Sequence, residues 1–170
     1  MLHLVGGFNL FLPNFEFGIV TEEVTVAAAR DKTEGYYPGT FAAEVNVPVG
    51  VEALAAKIKT VGQHPELYAR TNLPPGERER LTVRGYLYSE TEPNETEFVT
   101  VIEGRLNPNP EPWRMGSKSG VEWDVSSIFY MRHETGGVII HEYDLLGGGH
   151  IIRNGAPVGR ERRRILGMTI

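Results

Sequence analysis

Apolar and polar residues alternate with period two along most of this chain, the pattern of strands that bury one face. The alternation predicts strands over 15–20, 23–29, 39–47, 81–88, 97–106, 121–133, 137–146, 149–153 and 164–170. One stretch has helical spacing instead. In VEALAAKIKTV, Val51, Leu54, Ala55, Ile58 and Val61 recur three and four residues apart, with Gly62 and Pro65 as stop signals. Together these elements predict an all-β, mainly antiparallel fold. The expected form is a single closed or strongly curved β-barrel of about eight strands with one short amphipathic helix. No repeat or interdomain linker interrupts the pattern, so residues 1–170 read as one β-barrel domain.

The alternation also assigns faces. In the stretch 121–133, Val121, Trp123, Val125, Ser127, Phe129, Met131 and His133 share the face expected to point inward. In 137–146, Glu142 and Asp144 belong in water because burying an unpaired charge is costly, which turns His141 and Tyr143 inward. A three-residue turn, Thr135–Gly136–Gly137, would join the two strands with His141 opposite Met131 and Tyr143 opposite Phe129. His133 and His141 then share a face, diagonal neighbours at roughly 7–8 Å between α-carbons.

That clustering carries the candidate chemistry. His141 is the expected general acid or base, Tyr143 a hydrogen-bond donor and His133 an assisting group. Trp123, Ser127, Phe129 and Met131 would line an apolar cavity, and Trp113 would close it from the long loop Asn107–Gly120. The resulting expectation is a barrel that binds a hydrophobic small molecule, acting as a cofactor-independent isomerase or cyclase if it is an enzyme. A bland reading competes with it, since buried histidines and tyrosines commonly satisfy one another or a backbone carbonyl and do nothing else.

Two alternatives come from other classes. The stretch Gly147 to Asn154 resembles Gly-x-x-His-x-x-x-Asn, a fragment of the second motif of the cupin barrels, and would imply a metal-dependent enzyme using His141 and His150. The first cupin motif needs a His-x-His pair, which the chain lacks, so the expectation is no metal and no cofactor. The other alternative is a non-catalytic structural or interaction module whose interior is filled by its own side chains.

Composition narrows the field further. The chain has 170 residues and no cysteine, which excludes disulfides and thiol catalysis. A formal net charge of −5 argues against a general affinity for nucleic acid or anionic membrane. The one basic cluster is GRERRR near the C-terminus, read as a solvated edge or a grip for a phosphate or an acidic partner. The N-terminus lacks the positive start of a secretory signal, so the expected location is cytoplasmic, with a homo-oligomer left open.

Overall fold

The structure is a computed structural model that describes residues 3–39, 43–90, 93–116 and 118–168. The first half of the chain forms β1 (Leu4–Leu12), β2 (Phe15–Glu16), β3 (Thr21–Thr25), β4 (Asp31–Tyr36), β5 (Val45–Val51), β6 (Ala56–Thr60) and the short helix α1 (Pro65–Tyr68). The second half forms β7 (Glu79–Tyr88), β8 (Thr96–Pro110), β9 (Val121–Thr135), β10 (Val138–Asp144), β11 (His150–Arg153), β12 (Ala156–Val158) and α2 (Arg160–Ile165). All strand pairings are antiparallel, so the chain is all-β as its alternation predicts.

The sheet does not close. Its ten strands run β12-β11-β10-β9-β8-β7-β1-β2, with β6 attached to β9 and β3 to β6, while β4 and β5 make a separate two-stranded sheet. Among the described residues nothing joins β12 or β3 to β2, so the expected closed barrel is an open, curved sheet. One continuous core fills its concave side, drawing Leu10, Ile58, Leu81, Ile102, Trp123 and Met131 from five strands.

Strand β9 sets this shape. Along one edge it pairs with β8 throughout. Along the other, Val121–Val125 pairs with β6, whereas Tyr130–Thr135 pairs with β10. The change of partner occurs where Ser127 takes a positive φ of 50° and the β8–β9 register slips by two residues between Glu103 and Arg105. The extra residues bend the strand, as bulges do at sheet corners. They also break the simple alternation expected of this strand. Ser127 turns out to solvent, and Ile128 takes its inward place.

Two other expectations change. The VEALAAKIKTV stretch is not a helix; it contains the end of β5, a connection and β6. Ala56, Ile58 and Thr60 are buried and alternate with Lys57 and Lys59, a period-two signal hidden within the helical one. Pairing decides the matter, since Ile58 lies opposite Trp123 on β9 and Thr60 accepts the Trp123 indole N–H at 3.0 Å. At the other end, the predicted strand 164–170 gives way to α2, with residues 169–170 outside the described set. The predicted strand 39–47 spans residues 40–42, which are also outside it; β5 starts at Val45.

Gly104 lies opposite the kink, and a methyl group there would come within 2.8 Å of Val125 Cγ1 and 3.0 Å of the Ser126 carbonyl oxygen. Gly104→Ala should therefore destabilise the fold by about 1–3 kcal/mol, the usual cost of overpacking a close-packed site. Urea unfolding measures this directly, and an unchanged midpoint would show that the kink does not depend on that close approach.

Candidate functional site

The β9–β10 hairpin places the histidines together by a route different from the expected three-residue turn. Thr135 pairs with Val138 across the two-residue turn Gly136–Gly137, whose φ values of 57° and 78° suit a type I′ turn. Such a turn alone would put the histidines on opposite faces. A bulge between Ile139 and His141 adds one residue and restores the shared face. His141 now lies directly opposite His133, and Tyr143 opposite Met131.

A polar row crosses four strands at this level: Arg153 on β11, His141 on β10, His133 on β9 and Thr100 on β8 are successive cross-strand partners. His133 Nδ1 is 3.0 Å from the Thr100 hydroxyl, and its ring meets Phe98 edge-on with centroids 4.6 Å apart. His141 Nδ1 is buried without a hydrogen-bond partner. Met131, His133, His141, Tyr143 and Arg153 line a pocket of about 370 Å³, walled opposite by Val26–Ala29 and Asp31. Burial and the neighbouring His141 hold the His133 imidazole below its ordinary value near 6.5.

The remaining residues expected at a site are dispersed. Ser127 and Phe129 border a second pocket of about 380 Å³ with Leu54, Ile128 and Ile151, on which Tyr143 also opens. The Arg78 guanidinium lies 3.9 Å above the Phe129 ring. Trp123 is fully buried and lines neither pocket; its indole bonds Thr60 and its ring meets Tyr68 edge-on. Trp113 is no lid, being 79% exposed and in neither lining. The predicted loop from Asn107 begins instead as strand, because β8 stays paired with β9 to Pro110; residue 117 lies outside the described set. His150 turns away from His141 and accepts an N–H from Arg163, with Nη1 to Nδ1 at 3.2 Å. Among the described residues, no three His, Asp or Glu side chains gather closely enough to hold a metal ion.

A surface the alternation did not single out as functional touches these pockets only at its base, through Asp31 and Val51. Every residue of β4 and β5 is exposed. Val45 pairs with Tyr36 and Val47 with Glu34, and the two valines remain 49% and 43% exposed. The signal was present in VNVPVGV, where valine occupies every second position, but its end was absorbed into the predicted helix.

His133 gives the hairpin a pH dependence. Folding lowers its proton affinity, so the unfolded chain binds the proton more tightly and acid favours unfolding. Stability should be full above about pH 6.5 and decline as pH falls through the lowered folded value, with Asp31, Arg153 and His141 as the charged or titrating neighbours. Thermal melts between pH 8 and 5 should show this slope flattened in His133→Gln. Parallel curves for the two proteins would contradict it.

The chain matches the family model described as phage tail tube protein FII over residues 3–167. No curated protein matches it. The family match overturns the reading as an isomerase or cyclase, and with it the expected hydrophobic small-molecule partner; of the readings from sequence, the non-catalytic structural module agrees with it. With nearly its whole length matched, the chain belongs to the phage tail tube protein FII family.

Proposed function

We propose that this protein is a structural subunit that polymerises with copies of itself into the tube of a phage tail. Family membership supports the kind of assembly. The structural observation that carries the reading is the β4–β5 hairpin. A two-stranded hairpin is marginal in water on its own, and this one buries none of its residues against the rest of the chain. Val45, Val47 and Tyr36, which lies directly opposite Val45 and is 60% exposed, form an apolar strip that a second subunit would cover. The open sheet supports the same use, since β2, β3 and β12 each have an edge without a strand partner among the described residues and such edges are templates for pairing with another chain.

Purified protein should form rings or tubes with rising concentration, seen by sedimentation velocity and electron microscopy. Val47→Asp puts a charge on the exposed strip without touching the core. It should leave the melting temperature unchanged and raise the concentration needed for assembly at least about tenfold, equivalent to roughly 1.4 kcal/mol per contact. Wild-type protein that stays monomeric at every concentration would defeat the reading.

A further inference from the structure

The charge of this chain is segregated. Helix α2 carries Arg160, Arg162, Arg163 and Arg164 against Glu161 alone, a formal +3, which leaves −8 on the rest of a chain whose total is −5. Glu161 is taken by Arg164. Arg160 and Arg162 are exposed and have no ion pair among the described residues.

Arg163 is the unusual member. It is only 7% exposed, and its one side-chain hydrogen bond goes from Nη1 to His150 Nδ1. Its Nε and Nη2 are buried with no acceptor. Both atoms are sealed from solvent and out of a partner's reach, so the basic surface that α2 offers is that of Arg160 and Arg162. Exposed apolar residues accompany it: Ile165, Leu166 and Met168 at the end of α2, Val158 at the end of β12, and Leu145 and Leu146 in the turn before His150. Exposed arginines beside apolar side chains are the composition of a protein-binding surface.

We propose that the α2 face is a docking surface for a second copy of this chain, with the exposed Arg160 and Arg162 meeting carboxylates of that copy's acidic surface. The proposal rests on the tube-subunit reading and names one of its contacts. Charge complementarity selects the occupant, because outside α2 every copy carries a large acidic excess. It also fixes the type of contact. A basic face cannot dock on its own equivalent, so each subunit presents α2 to a different face of the next, and such head-to-tail contacts close into rings or extend as filaments. Nucleic acid fits less well, since its phosphates would meet the −8 of the remaining chain and its grooves offer little to six exposed apolar side chains.

The test compares full-length wild type with Arg162→Glu and Ile165→Ser for the concentration at which assemblies appear, at 50 and 500 mM salt. Arg162 and Ile165 are exposed, so both variants should melt with the wild type. Each variant should need at least tenfold more protein to assemble, and high salt should weaken wild type more than Arg162→Glu. A wild type that assembles while the two surface variants assemble at the same concentration overturns this contact alone. A wild type that never assembles overturns the tube reading and this contact with it. Binding of duplex DNA or anionic vesicles by wild type, lost in Arg162→Glu while assembly stays unchanged, also overturns it.

Discussion

Strand β9 can belong to two halves of the sheet only because it bends at Ser127. Before the bend its free side is taken by β6, after it by β10, and β8 follows it through the turn with Gly104 at the inside of the curve. Everything on the concave side depends on that geometry. Trp123 reaches Thr60 because β6 is there, and His133 faces His141 because β10 is there. A flat β9 would carry one neighbour along its whole length, and the core would lose one of its two sides. The local cost, a serine in a conformation that favours glycine, is offset by the packing it allows on both sides.

The same bend keeps the sheet open. Strands curl over a single core without returning to one another, so the molecule retains edges at β2, β3 and β12 and an exposed hairpin at β4–β5. For an isolated protein these are liabilities, and natural sheets usually blunt them with charge, proline or a covering element. Pro157 and the arginines of α2 do this at one end. The valines of β5 do the opposite, placing apolar groups where water would otherwise be met. In an assembling subunit both choices make sense: one edge is guarded against the wrong pairing while another surface stays ready for the right one.

Much of the sheet could be read from the chain. Leu81 and Val83 alternate with Arg84 and Tyr86, and Thr100 and Ile102 with Glu103 and Arg105, and the apolar or neutral member is the buried one, as strands with one buried face require. What failed was short-range pattern where two periods coincide. Val51, Leu54 and Ile58 fit a helix, yet Ala56, Ile58 and Thr60 fit a strand, and only the pairing with β9 separates them. Strand β1 was missed because its Gly6 and Gly7 interrupt the alternation. The histidine cluster was legible, although its turn was wrong by one residue and a bulge compensated for it. Its purpose was not legible, because two inward histidines and a tyrosine look alike in a catalytic cavity and in a structural core. The proposed self-association left one trace in the sequence, the alternating valines of β5, which alternation alone assigns to a buried face.

Hydrogen–deuterium exchange on assembled and dissociated protein addresses the polymerising-subunit account most directly. Backbone amides of β4 and β5 are held by a two-stranded pairing with no cover, so they should exchange quickly in the free subunit and slow at least tenfold on assembly, while those of β8 and β9 change little. An assembled state in which the β4–β5 amides exchange as fast as in the free subunit would contradict the account.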